Sequence, residues 1–110
     1  MIQFEREWRT PHSEAYVIWE DDGIVGRIDL HFQGSNTYGT LCTTADATEE
    51  RIQSLIEAID ERLVMPADPY REDFIVTVWK GSPAGTYSDS DLGEDEDDEE
   101  DDDEERFGLN

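Results

Sequence analysis

Three polar side chains in the first half of the chain have the chemistry of a cysteine-nucleophile site: Asp29, His31 and Cys42. A thiol nucleophile needs an imidazole base within hydrogen-bond reach and an acid that orients this base. Strand alternation places all three side chains on one face of neighbouring strands, with Cys42 diagonal to His31. A flat sheet offers no cleft, and its backbone amides are used in strand pairing, so none remains to stabilise an oxyanion. We therefore expect a passive thiol and a protein that is not an enzyme.

Metal-binding and cofactor-binding patterns are weak in this sequence. The segment from Asp89 to Gly93 is similar to the start of a calcium loop, but its glycine is at the fifth position and not the sixth. His12, His31 and Cys42 lack the spacing of a zinc site. Because the sequence also has no glycine-rich phosphate loop, we expect no metal and no cofactor.

Alternation of apolar and polar residues predicts the strands that would position these side chains. The N-terminal segment alternates in this way, with Ile2, Phe4 and Trp8 on one face. The Asp22-Gly23 pair predicts a hairpin turn between the second and third strands. The predicted strands occupy residues 2–9, 15–20, 24–33, 38–44 and 74–80.

A change to helical spacing separates the fourth and fifth predicted strands. Asp46 or Thr48 can cap the start of this helix, and Pro66 limits its end. Its apolar stripe contains Ile52, Leu55, Ile56, Ile59 and Leu63.

The order of four strands, a helix and one strand predicts a two-layer α+β fold, an antiparallel sheet of about five strands with the helix packed on one face. The last strand is apolar on both faces apart from Thr77, which is typical of a central strand or of one covered on both sides. We assign residues 1–85 to this globular domain. Residues 86–110 are predicted to be a disordered polyacidic tail with a hydrophobic tip.

The predicted hairpin register defines the sheet face that the helix does not cover. If the turn pairs Asp21 with Ile24, the core face receives Ala15, Val17 and Trp19. The outer face receives Tyr16, Ile18, Arg27, Asp29, His31, Thr40 and Cys42. Aromatic, aliphatic and cationic side chains are enriched in interface cores, so we predict partner binding at Tyr16, Ile18, Arg27 and His31. An ordinary solvated sheet face and homodimerisation through this face are the alternatives.

The negative charge is divided between the two parts of the chain, whose total formal net charge is −22. Residues 1–88 hold sixteen Asp and Glu against seven Arg and Lys, a net charge of −9. Residues 89–110 hold fourteen against one, a net charge of −13. A surface of this sign repels phosphate backbones, so we expect no direct binding to nucleic acid. Adaptation of the whole protein to high salt is an alternative source of the acidity.

The acidic residues near the C-terminus are dense enough to keep this segment extended and hydrated at neutral pH. They are Glu94, Asp95, Glu96, Asp97, Asp98, Glu99, Glu100, Asp101, Asp102, Asp103, Glu104 and Glu105. Followed by Phe107 and Leu109, they resemble the C-terminal tails of bacterial single-stranded DNA-binding proteins, in which acidic residues precede a hydrophobic tip that docks on partners. The resemblance covers about twenty residues and lacks the Pro-Phe ending of those tails. It implies that Phe107 and Leu109 anchor a partner.

These features favour a small non-enzymatic binding or regulatory protein whose acidic tail engages a basic protein, or the basic surface of a nucleic-acid-binding protein. One alternative is a nucleic-acid mimic that inhibits a DNA- or RNA-binding enzyme. The other is an acidic domain whose tail only makes it soluble. The sequence has a single cysteine and no apolar segment of signal-peptide or membrane-spanning length. We therefore expect a cytoplasmic protein that does not bind membranes.

Overall fold

The computed structural model describes residues 1–89, which form an α+β fold of five strands and one helical segment. The strands are β1 (Ile2–Arg9), β2 (Ser13–Glu20), β3 (Gly23–Gln33), β4 (Asn36–Thr43) and β5 (Asp73–Lys80). They form one sheet whose strand order follows the chain, β1-β2-β3-β4-β5. The prediction of five strands and one helix in an α+β fold is confirmed.

The helical segment connects β4 to β5 and covers one face of the sheet. It consists of α1 (Glu49–Ile59), a π-helical turn (Asp60–Val64) and α2 (Met65–Ala67). Thr48 caps its start, because the side-chain oxygen accepts a hydrogen bond from the Arg51 amide at 3.1 Å. Within residues 1–89, no helix has both the length and the apolarity needed to cross a bilayer.

The core lies between the helical segment and the sheet. Apolar residues at helical spacing on α1 meet apolar residues that alternate along β2, β3 and β4. The buried aliphatic residues of this cluster are Ile18, Ile28, Leu30, Leu41, Leu55, Ile59 and Val64. Removal of this apolar surface from water is the main term that holds the two layers together.

The sheet is mixed, and the prediction of an antiparallel sheet is wrong for its last pair of strands. β1 to β4 pair antiparallel, but β5 runs parallel to β4, with Thr37 opposite Phe74 and Leu41 opposite Val78. The helical segment is the reason, because a crossover between two neighbouring strands returns the chain to the same end of the sheet. The expected central or doubly covered position of the last strand is also wrong, since within residues 1–89 β5 is at the edge of the sheet and its Ile75 and Trp79 side chains are exposed.

The turn between β2 and β3 lies one residue earlier than predicted. Asp21 and Asp22 form the turn, and Glu20 pairs with Gly23. Asp21 adopts a positive φ of 58°, which Asp tolerates better than most residues because its short side chain can hydrogen-bond locally.

A bulge in β3 then changes the register. Trp19 pairs with Ile24, whereas Ile18 pairs with Gly26, so Val25 is an extra residue with no partner on β2. One extra residue moves every following side chain to the opposite face relative to its partner strand. The bulge therefore decides which side of β2 faces the helical segment.

The predicted faces of β2 are reversed as a result. Tyr16 and Ile18, predicted to be outside, face the core and are 8% and 0% exposed. Val17 and Trp19, predicted to face the core, lie on the uncovered face, where Val17 pairs with Arg27.

A second bulge moves Trp8 out of the core face of β1. Arg6 pairs with Tyr16 and Trp8 pairs with Ala15, so Glu7 is the extra residue. Trp8 was predicted to share a face with Phe4, but the bulge turns it to the uncovered face.

Candidate partner-binding face

The side of the sheet opposite the helical segment is uncovered in residues 1–89, and we call it the open face. Alternate residues of each strand point to it. Its side chains include those of Glu5, Trp8, Val17, Trp19, Ile24, Arg27, Asp29, His31, Tyr38, Thr40, Cys42, Ile75, Thr77 and Trp79. Arg27, His31 and Cys42 share this face, as the alternation along β3 and β4 predicts.

Large apolar side chains distinguish the open face from an ordinary polar sheet surface. The exposed fraction is 41% for Trp8, 39% for Tyr38, 42% for Ile75 and 64% for Trp79. Tyr38 and Ile75 are paired across β4 and β5, and Trp79 follows on the same edge strand. Exposed aromatic side chains on one surface are characteristic of protein-binding sites. These four residues are the candidate site.

Arg27 is held at the centre of the open face by two carboxylates. Its guanidinium pairs with Glu7, and its Nε lies 3.2 Å from Asp29 Oδ1. Asp29 Oδ1 has no hydrogen-bond partner within residues 1–89, so this second contact is an ion pair without a hydrogen bond. Burial lowers the pKa of Arg27, but the hydrogen bond to Glu7 and the nearby carboxylate charges outweigh burial and raise this pKa. Arg27 is therefore a fixed charge that is already neutralised within the sheet.

The cysteine–histidine arrangement suggested by the sequence is not formed. His31 pairs with Tyr38, whereas Cys42 pairs with Arg27. Four residues along a strand separate the two side chains by roughly 13 Å, which is beyond hydrogen-bond reach. His31 Nδ1 instead shares a hydrogen bond of 2.8 Å with Ser13 Oγ. Cys42 is exposed without an imidazole base beside it, and the absence of enzyme activity stays a prediction.

Two residues predicted as partner contacts, Tyr16 and Ile18, cannot serve this role because they lie in the core. The Tyr16 hydroxyl donates to Glu14 Oε1 at 2.6 Å, and its ring meets Phe4 edge-on with centroids 6.3 Å apart. Burial, reinforced by the hydrogen bond and the charge of Glu14, raises the pKa of Tyr16 above its ordinary value of 10.0.

The remaining predicted contacts are in the C-terminal part of the chain. Phe107, Leu109 and the acidic residues 94–105 lie outside the described residues. Their proposed roles rest on the sequence.

Part of the candidate site could have been found from the sequence. The sequence shows apolar residues on both faces of β5, including Ile75 and Trp79. If β5 had been predicted as an edge strand, both residues would have been predicted to be exposed. The exposure of Trp8 could not have been predicted in this way, because its position on the open face depends on a bulge that no residue type indicates. Tyr38 was on a correctly predicted strand but was not singled out.

Two other features of the described residues do not provide a competing site. Next to the start of α1 there is an open depression of about 260 Å³ lined by Glu20, Arg51 and Leu55. Ligand pockets usually enclose roughly 300–1,000 Å³, and Arg51 and Glu20 pair with each other across this one. Within residues 1–89, no three His, Cys, Asp or Glu side chains are grouped so as to hold a metal ion.

Comparison of the chain with models of protein families, with curated proteins and with solved structures found no match.

Proposed function

We propose that this chain is a small binding or regulatory protein whose acidic C-terminal residues engage a basic protein partner, while the open face supplies the contact surface. The observation that carries the proposal is the open face itself, where Trp8, Tyr38, Ile75 and Trp79 are exposed on the uncovered side of a two-layer fold. Aromatic side chains of this kind dominate the binding energy of many interfaces.

The chemistry of the open face suits a cationic partner. Lysine and arginine side chains are attracted to the faces of tryptophan and tyrosine rings. The chain uses this contact internally, where the Arg62 guanidinium carbon lies 4.8 Å from the centroid of the Phe4 ring. Arg27 does not oppose a cation, because Glu7 and Asp29 neutralise it.

The acidic residues supply attraction at longer range. Residues 89–110 hold fourteen carboxylates and one arginine. A concentrated charge of one sign raises the association rate with an oppositely charged surface, and this effect falls as salt increases. The acidic residues would recruit the partner, and the aromatic side chains would hold it.

The test uses two full-length variants that change one part each. The neutral-tail variant replaces each Asp by Asn and each Glu by Gln at residues 94–105. The second variant is Trp79→Ser, on the most exposed tryptophan of the open face. Proteins captured by the native chain are identified, and their affinity for each variant is measured at several salt concentrations.

We expect the neutral-tail variant to lose association rate and most of the salt dependence, and Trp79→Ser to raise the dissociation rate. Equal affinity and equal salt dependence for the native chain and the neutral-tail variant would refute a role for the acidic residues. Competition with duplex DNA for the captured partner distinguishes nucleic-acid mimicry from binding at a surface that does not contact DNA.

A further inference from the structure

One edge of the sheet has the features of a strand that accepts another strand. β5 is at the end of the strand order and pairs only with β4 among residues 1–89. It is eight residues long, and its register with β4 has no shift from Asn36 opposite Asp73 to Thr43 opposite Lys80. A long, regular edge strand presents a row of unpaired backbone groups.

The direction of these groups follows from the hydrogen bonds at its two ends. Gly81 donates its amide to the Thr43 carbonyl of β4 at 2.8 Å. Because alternate residues of a strand point their amides to the same side, the amides of Val76, Val78 and Lys80 point away from β4. The Phe74 amide follows the same pattern and donates to the side chain of Asp73 at 2.8 Å.

The opposite edge of the sheet is protected. β1 carries Glu5, Arg6, Glu7 and Arg9 and is interrupted by a bulge at Glu7. Charged side chains and bulges are the devices that natural sheets use to prevent pairing at an edge. β5 lacks both in its central part, where Phe74 to Trp79 contains no charged residue and the register is regular.

We propose that the β5 edge binds an extended basic segment of a protein partner, which adds a sixth strand to the sheet by backbone pairing. This inference rests on the proposed function and specifies how the partner is held. Strand addition obtains affinity from backbone hydrogen bonds and specificity from alternate side chains. On the open face, these side chains would lie beside Ile75, Thr77 and Trp79, so apolar or β-branched residues fit there.

Charge identifies the occupant as a basic segment and not a second copy of this chain. The acidic run begins at Asp89, nine residues after the end of β5, and residues 89–105 contain no basic residue. A chain segment of this charge attracts lysine or arginine residues that flank the added strand. A second copy would bring its own net charge of −22 to the same edge, where like charges repel.

The test uses five synthetic peptides as probes against the full-length chain. The parent peptide has eight alternating valine and threonine residues followed by four lysines. The second peptide has only the four lysines on a glycine–serine spacer, and the third has glutamates in place of the lysines. The fourth and fifth are parent peptides N-methylated at every second residue, one in each of the two alternating frames, so that each has one edge that can no longer donate hydrogen bonds.

We expect the parent peptide to bind at least tenfold more tightly than the second and third peptides, and at least tenfold more tightly than one or both of the N-methylated peptides. Amide exchange measured by NMR gives a direct readout. In the free chain, the amides of Val76 and Val78 should exchange faster than those of Thr77 and Trp79, and the parent peptide should slow this exchange. Equal binding of the parent and both N-methylated peptides, or no binding of the parent, would overturn the inference.

Substitutions in β5 provide the matching test on the protein. Val76→Pro removes an outward amide from the middle of the edge, and Val76→Ala is the control that shortens the same side chain but keeps the amide. We expect Val76→Pro to weaken parent-peptide binding by about fivefold relative to Val76→Ala, the effect of losing one hydrogen bond. If Val76→Pro does not fold, the peptide affinities of Lys80→Pro and Lys80→Gln are compared in the same way, because Lys80 is exposed. Equal affinities within the folded pair contradict the inference.

The outcomes separate this inference from the proposed function. If the neutral-tail variant binds the four-lysine peptide as tightly as the native chain does, the proposed function fails. If the native chain prefers lysine-bearing peptides but does not discriminate between parent and N-methylated forms, only the edge inference fails. A stable dimer of the free chain in sedimentation, with Val76 and Val78 amides already protected, would assign the edge to a second copy and overturn the inference.

Discussion

The bulge at Val25 can be tested with two isoleucines that the sequence pattern and the structure place on opposite sides of the sheet. Without the bulge, alternation puts Ile24 in the core and Ile18 outside. In the structure Ile18 is 0% exposed and Ile24 is 55% exposed. Substituting each by alanine removes the same atoms, so the two variants are matched controls for one another.

The expected difference follows from burial. Ile→Ala deletes three carbon groups, and at about 0.8 kcal/mol for each buried group the transfer term for Ile18 is about 2.4 kcal/mol. A cavity adds to this term, so Ile18→Ala should lower the free energy of unfolding by about 3–4 kcal/mol. Ile24 is less than half buried and leaves no enclosed cavity, so Ile24→Ala should cost about 1 kcal/mol or less.

Urea denaturation followed by circular dichroism gives both free energies of unfolding. A loss of this size could leave Ile18→Ala mostly unfolded, because small domains have only about 5–15 kcal/mol of stability. The milder pair Ile18→Val and Ile24→Val is therefore measured in parallel, with expected costs of about 1 kcal/mol for Ile18→Val and near zero for Ile24→Val. If the Ile24 variants lose as much stability as the Ile18 variants, the bulge and the face assignment of β2 are wrong.

Three further predictions concern the folded domain. Gly26→Ala should lower the free energy of unfolding by about 1–3 kcal/mol, because an added Cβ would lie 2.6 Å from the Cys42 carbonyl oxygen; urea denaturation measures this change. Thr48→Ala should cost about 1 kcal/mol through loss of the helix cap, which thermal denaturation will detect. Stability should fall as the pH rises through the raised pKa of Tyr16, since the folded state holds this proton more tightly than the unfolded state; Tyr16→Phe should reduce that alkaline loss.

Each of these predictions has a control. Gly23→Ala is the control for Gly26→Ala, because its added Cβ would meet only the Glu20 carbonyl at 4.0 Å. Thr48→Ser should keep most of the stability lost in Thr48→Ala, since serine also caps. For the pH prediction, Tyr38→Phe on the open face is the comparison. Equal alkaline loss in native protein and Tyr16→Phe would show that Tyr16 is not the group responsible.

The sequence predicted the parts of the fold that depend on local patterns. Alternation located the five strands, and the helical stripe located α1 between β4 and β5. Position relative to other strands was harder to predict. The parallel pairing of β5 depends on where the helical segment returns the chain, and the apolar residues of β5 are equally compatible with a central strand. Nothing in the composition of β5 indicates that one of its edges is unpaired within residues 1–89.

The faces of β1 and β2 could not be predicted because each depends on one bulged residue. Glu7 and Val25 are ordinary strand residues, and neither marks its own position as a bulge. A wrong register changes every side chain that follows. This is why Tyr16 and Ile18 were assigned to the contact surface, and why Trp8 was assigned to the core.

Because of the same two bulges, tryptophan side chains on the open face can be substituted with little effect on the stability of the fold. The core cluster consists of aliphatic residues and Tyr16, and none of the three tryptophans belongs to it. Trp79 is 64% exposed on an edge strand, so Trp79→Ser should leave the unfolding midpoint nearly unchanged. A loss of partner affinity in this variant therefore cannot be attributed to unfolding. Trp79 is a tryptophan that the core of residues 1–89 does not need, and this supports the proposal that the open face binds a partner.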